Sequence, residues 1–236
     1  MTLSTFLMQG MAGISSGLSL FVVAGGLVII FSVLKILNLA HGSFYMLGAY
    51  ACYWMISVAM NNSALSFWIV LIIAPIFVAL IGGLVERYLL RMIYNRPQLY
   101  QFFLTFALVF VFSDMIRFIW GLDYHIVRKP AFLDFQIILG GLSLPIYNLF
   151  IICFGVAIFA GLMLFIKKTK FGMIIRAVTT DREMMSILGV NVGRFYTLTF
   201  MLGCWLSGLA VPWWHLWRSW HLHLEIASCS KALSLL

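Results

Sequence analysis

Charged side chains are scarce in this sequence. Asp and Glu together number 7, and charged residues make up 9% of 236. Soluble domains carry about 25% charged and about 45–50% apolar residues. Here 64% are hydrophobic and mean hydropathy is +1.06. That excludes an ordinary soluble domain and indicates a polytopic membrane protein. Cysteine is also rare. Cys52, Cys153 and Cys204 lie in apolar runs and Cys229 stands alone near the end. No CxxC or pairing pattern occurs, so neither disulfides nor a cysteine metal site is implied. No Gly-x-x-x-x-Gly-Lys-Ser/Thr phosphate loop is present, so the chain is not expected to hydrolyse ATP unaided. His-Glu-x-x-His and Gly-x-Ser-x-Gly are missing too, and no catalytic residue is expected. Repeated acid pairs inside the spans, expected of a proton-coupled carrier, are absent. The start, MTLSTFLMQGMAG, lacks a charged region before its apolar run, so no cleavable signal peptide is expected.

What is present is a series of apolar runs. The first, Gly10 to Leu34, is long enough to span. Its Gly13-x-x-x-Gly17 is a small-residue face of the kind that lets helices approach closely. Asn38, His41 and Gly42 then interrupt the hydrophobicity without making a soluble loop. Two readings stand: a tight cytosolic turn, or a broken helix lining a path, where freed backbone polar groups are tolerated. The second run, Phe44 to Met60, is short, and Asn61-Asn62-Ser63 is a polar turn. The third, Phe67 to Val85, contains Pro75, which should kink it. The fourth is Gln98 to Trp120, where Asp114 and Arg117 fall on one helix face. Gly121 to Leu144 is a mixed loop. The fifth run is Ile146 to Ile166. The sixth is Phe195 to about Val211, with Gly203, Ser207 and Gly208 for close packing. The predicted fold is an all-α polytopic membrane bundle of about six spans, with a short cytosolic helix.

That helix falls in the longest polar interruption, 167–194. The stretch holds Lys167, Lys168, Lys170, Arg176, Arg182 and Arg194 against only Asp181 and Glu183. Thr180-x-x-Glu183 reads as a capping box. Met184, Met185, Ile187 and Leu188 follow, and Gly189 supplies a left-handed stop. About two turns of helix are unstable alone in water, so this one must dock on something. A partner protein and a plain interfacial tie between two spans are both open.

Orientation follows from charge. The loops after the third and fifth runs carry nine of the fifteen Lys and Arg residues. Both lie on one side if every run crosses once, and that side should be cytosolic, leaving the N-terminus periplasmic. The net charge of +8 sits in these short loops and is no nucleic-acid signal. His215, His221 and His223 with Glu225 form only a weak metal pattern among Trp and Leu, and no metal is expected.

Asn38-Leu-Ala-His41-Gly42-Ser-Phe-Tyr-Met-Leu-Gly48-Ala49-Tyr50 resembles the N-F-A-H-G-x-x-x-M-L-G-A-Y signature of branched-chain amino-acid ABC transporter permeases. Thr169-Lys-Phe-Gly172-Met-Ile-Ile-Arg176-Ala177, continuing through Asp181 and Leu188-Gly189-Val-Asn191, is similar to that family's main cytosolic loop. Leu206-Ser-Gly208-Leu-Ala210 resembles the segment after it. The resemblance implies a permease domain over 1–211 in a bacterial inner membrane. It implies a second permease subunit, related or identical, and a periplasmic substrate-binding protein. Two cytosolic ATPase subunits would use the ATP, so the chain itself needs no cofactor. It places ATPase coupling at Arg176, Ala177, Thr180, Asp181, Glu183, Leu188 and Gly189, and a break in the translocation path at Asn38, His41 and Gly42. Permeases for urea or short amides are the near alternative, and a non-transporting membrane subunit is the further one. After Ala210 the chain departs from the family pattern. Residues 212–236 read as an atypical Trp- and His-rich tail, as expected of a truncated or frameshifted copy.

Overall fold

The computed structural model describes residues 3–56, 64–121, 136–139 and 142–210. Eight α-helices lie within them: α1 (Leu3–Leu34), α2 (His41–Trp54), α3 (Ala64–Tyr88), α4 (Gln98–Trp120), α5 (Ile146–Lys168), α6 (Lys170–Thr180), α7 (Arg182–Ile187) and α8 (192–210). A short 3-10 helix, Leu90–Ile93, follows α3. The bundle is all-helical. The loop before α5 adds a feature the sequence did not announce, a two-stranded antiparallel hairpin of β1 (Gln136–Leu139) and β2 (Leu142–Pro145). Asn61–Ser63 and the tail lie outside the described residues.

Among the described residues four helices are long and apolar enough to cross a membrane: Gln9–Leu34, Phe67–Ile93, Gln98–Trp120 and Ile146–Lys168. Helix α4 shows how they pack. Gln101, Thr105, Leu108, Phe112 and Ile116 are buried, one stripe at three- and four-residue spacing. Phe102, Phe103, Phe106 and Phe110 are exposed on the rest of the surface. Polar groups thus turn inward and aromatic rings outward, as a bilayer requires and water would not.

The helices alternate in direction. Along α1 and α5, Leu18 meets Gly155, Phe21 meets Phe159 with ring centroids 5.3 Å apart, and Gly25 meets Leu162. These two helices therefore run parallel. So do α2 and α4, where Phe44 pairs with Phe112 at 5.1 Å and Tyr50 with Trp120 at 5.6 Å. In contrast α3 and α8 are antiparallel: Gly82 lies on Cys204, and Pro75 on Gly208. The ends of α1, α3 and α5 and the start of α8 gather at one end of the bundle, with the nine basic residues of the two loops.

Close approach depends on glycine at the points the packing selects. A Cβ on Gly26 would stand 2.5 Å from the Gly203 carbonyl oxygen, and one on Gly208 would stand 2.8 Å from the Pro75 Cα. Gly203 and Gly208 of α8 are therefore packing residues, as the sequence suggests. The Gly13–Gly17 face is different. A Cβ at either position meets nothing within 4 Å among the described residues, so close contact along α1 falls at Gly26 instead.

Candidate functional site

Two places carry the sequence-predicted residues, and they are separate. The first is an elbow at the basic end. Helix α5 stops at Lys168, and Thr169 caps α6: its Oγ1 accepts the Gly172 amide at 3.0 Å and donates to the Phe165 carbonyl at 2.6 Å. The fold back is tight enough that a Cβ on Gly172 would collide with the Ile166 backbone. Arg176 donates from Nη1 to the Ile166 carbonyl, closing the corner. Ile175 and Val178 are buried in the bundle, so α6 is an amphipathic segment moored on α1 and α5. Ala177 contributes its carbonyl, which accepts the Asp181 amide at 3.0 Å.

The capping box at Thr180 is not formed. Thr180 remains the last residue of α6, and its hydroxyl donates to the Arg176 carbonyl at 3.1 Å. A residue still in helical register cannot be an N-cap. Asp181 takes the role one position later: its backbone is extended (φ −146°, ψ 103°) and Oδ1 accepts the Met184 amide at 2.9 Å. Glu183 then sits in the first turn of α7, where a carboxylate suits the helix dipole. The stop is as the sequence suggests. Gly189 has φ +81°, its amide bonds the Ser186 carbonyl at 3.1 Å, and the Val190 amide bonds Met185 at 3.1 Å, a Schellman ending. Asn191 restarts the chain, its Oδ1 capping the Arg194 amide at 3.1 Å. No residue of α7 is buried. Ile187 is 81% and Leu188 68% exposed, and Met173 and Met184 are exposed beside them.

Sequence reasoning passed over the strut behind this elbow. Glu86 is 0% exposed, and its carboxylate accepts hydroxyls from Tyr94 and, at 2.5 Å, from Thr197 on α8. Burial first, then the bond to Glu86, push the Tyr94 phenol well above its usual pKa and keep it a donor. Gln101 Nε2 lies 3.1–3.3 Å from the carbonyl oxygens of Ile93, Tyr94 and Arg96 and holds that loop. A charged residue closing a long apolar run was the available signal.

The second place is the break between α1 and α2. Lys35 ends α1 in the left-handed region (φ +56°), and 35–38 is non-helical. The chain then folds back into the bundle. His41 Nε2 reaches the Val23 carbonyl at 3.0 Å. Val23 lies near the middle of the Gln9–Leu34 span, eleven residues before Leu34, or about 16 Å along the helix. The start of α2 thus lies beside the middle of α1 rather than at its end. Asn38 and His41 are buried, and Asn38 Oδ1 and Nδ2 and His41 Nδ1 find no partner among the described residues. Gly42 is exposed with open space beside it. Asp114 and Arg117 pair at 3.6 Å on the exposed side of α4, a contact of little energetic weight. Among the described residues no group of His, Cys, Asp or Glu is arranged to hold a metal; the His215–Glu225 pattern lies outside them.

An apolar bundle with four span-length helices among the described residues, and basic residues gathered at one end, defines a multi-pass membrane protein. Residues 11–211 match the family described as branched-chain amino acid transport system / permease component, and the chain belongs to that family. It is a family of transport permeases, not of enzymes. The chain is similar to LivH, a high-affinity branched-chain amino acid transport system permease protein. The identity is 26% over 214 residues for the Salmonella typhimurium protein, covering 87% of this chain and 69% of that one. Escherichia coli LivH gives 26% over 216 residues with the same coverage. BraD of Pseudomonas aeruginosa, described in the same terms, gives 22% over 214 residues. No solved structure matches the chain.

Proposed function

We propose that this chain is a membrane permease subunit of an ATP-binding-cassette importer and forms part of the path for branched-chain amino acids. In this reading it pairs with a second permease subunit, receives substrate from a periplasmic binding protein and is driven by two cytosolic ATPase subunits. The observation that carries it is α7. A helix of 6 residues has no stability of its own, yet this one is capped by Asp181, stopped by Gly189 and buries none of its side chains fully, with Met185 half-buried against the bundle core. Such a helix is built to be covered by something else, and Ile187, Leu188 and Met184 are the knobs offered. The charge bias favours a cytosolic basic end, which supports α7 as the surface a cytosolic ATPase would meet.

The break at Asn38, His41 and Gly42 supports a place beside the path. Non-helical backbone at bilayer depth is stable only inside protein or against a water-filled cavity. Among the described residues Gly42 has open space beside it, which suits a side turned to a partner subunit or the path.

The test is Asp181→Ala combined with Gly189→Val. Losing the cap costs about 1 kcal/mol. A β-branched residue at φ +81° costs roughly another 1–2 kcal/mol. Neither site touches a span, so the variant should reach the membrane in normal amounts. It should lose the co-purifying ATPase and substrate-stimulated hydrolysis together. Normal binding and stimulation would remove α7 from the coupling role.

A further inference from the structure

We propose that Glu86 is a positioning residue for transport: it fastens the exit of α3 to the entry of α8, so that movement imposed at α7 reaches the spans. The inference rests on the importer reading above and assigns a residue that reading does not use.

Glu86 is the last acidic residue one would bury for stability. It is fully enclosed, and no Lys or Arg forms an ion pair with it among the described residues. An apolar side chain of similar volume would fill the same space without desolvating a carboxylate. What the carboxylate does is join two chain segments far apart in sequence. One oxygen takes the Tyr94 hydroxyl from the loop after α3, and the other takes the Thr197 hydroxyl at 2.5 Å from the first turns of α8. The joint continues to the coupling helix through a line of contacts. Arg182, the first residue of α7, lies over the Tyr196 ring at 5.6 Å. Tyr196 meets Tyr94 edge-on with centroids 5.5 Å apart. Arg91 packs on Gly193, where an added Cβ would collide with its guanidinium. From α7 to α3 the sequence of contacts is therefore cation, ring, ring, carboxylate. It is short and anchored at both ends by backbone that cannot give easily: α8 under its Asn191 cap, and α3 under the Gln101 clamp on its exit loop.

The experiment uses the assembled complex in vesicles, with its ATPase and binding protein, and reads substrate moved per ATP hydrolysed. A merely structural role would lower the amount of complex but leave this ratio alone. Glu86→Gln keeps one acceptor oxygen for Tyr94 and turns a donor toward Thr197, whose own hydroxyl then falls back on the Gly193 carbonyl at 3.2 Å. Glu86→Leu removes both acceptors. Thr197→Val deletes one arm with little change of shape and guards against misfolding of the first two. The expected result is normal membrane levels and a retained ATPase partner, with the ratio falling on the order of tenfold, a usual size for coupling between sites. An unchanged ratio in Glu86→Leu and Thr197→Val would overturn the proposal while leaving the importer reading intact. So would uptake and hydrolysis that fall together in proportion to lost protein. If the unaltered chain binds no ATPase, the importer reading fails first, and this joint fails with it.

Discussion

Single glycines decide how near the spans of this bundle can come. Gly26 and Gly203 face each other so closely that a methyl group on Gly26 would stand 2.5 Å from a backbone oxygen. Backbone cannot step aside as a side chain can, so Gly26→Ala should cost about 1–3 kcal/mol through overpacking. Its thermal unfolding midpoint in detergent should drop clearly, whereas Gly17→Ala, with nothing within 4 Å, should match the parent chain. An equal drop in both would refute the packing assignment. The sequence showed which residues were small but not which were opposed. Gly13-x-x-x-Gly17 looks like the better contact motif on paper, and the choice of Gly26 depends on where His41 and α8 arrive from elsewhere in the chain. Glu86 was hidden for the same reason, since its partner Thr197 lies 111 residues away.

At the scale of elements, four of the six expected spans and the stop of α7 were legible, and the start of α7 was not. Apolar runs of 20 residues or more announce themselves by length, and Gly189 announced the end of α7 because few residues accept a left-handed backbone. The start of α7 was read one residue early. Thr180-x-x-Glu183 satisfies the capping-box pattern, but α6 continues through Thr180 and withholds the extended backbone that a cap needs. Nothing local in the sequence says where α6 ends. The difference is measurable. Asp181→Ala should weaken ATPase binding by up to about tenfold, in line with about 1 kcal/mol of lost helix stability. Thr180→Ala loses only a back-bond to Arg176 and should leave that affinity nearly unchanged. The reverse ranking, read by titrating purified ATPase onto the membrane complex, would restore Thr180 as the cap.

At the scale of the whole molecule, the alternating helix directions and the gathered basic residues agree on one arrangement. The parallel pair α1 and α5 ends at the same face as α3, and Arg91 touches Gly193 there. Positive residues near span ends favour the cytosol. A single cysteine at Gln98 or at Thr180, in a background without exposed thiols, should react with an impermeant reagent only from the cytosolic side. One at Asn62 should react only from the periplasm. Labelling of Thr180 from the periplasm would invert the molecule and detach the importer reading from its ATPase.

The break before α2 also bears on how the protein is made. The helix of 14 residues from His41 to Trp54 is shorter than the roughly 20 that a bilayer crossing uses. Its anchor, Phe44, is 0% exposed, and Phe112 and Phe200 pack on it at 5.1 Å and 5.8 Å. Both rings belong to helices synthesised later. While the ribosome is still in the middle of the message, α2 has left it and its cradle does not yet exist. The left-handed turn at Lys35 lets the segment double back on α1, where His41 already has the Val23 carbonyl within reach. The nascent chain can thus hold α2 as a hairpin against α1, and seat it for good only when α4 and α8 arrive.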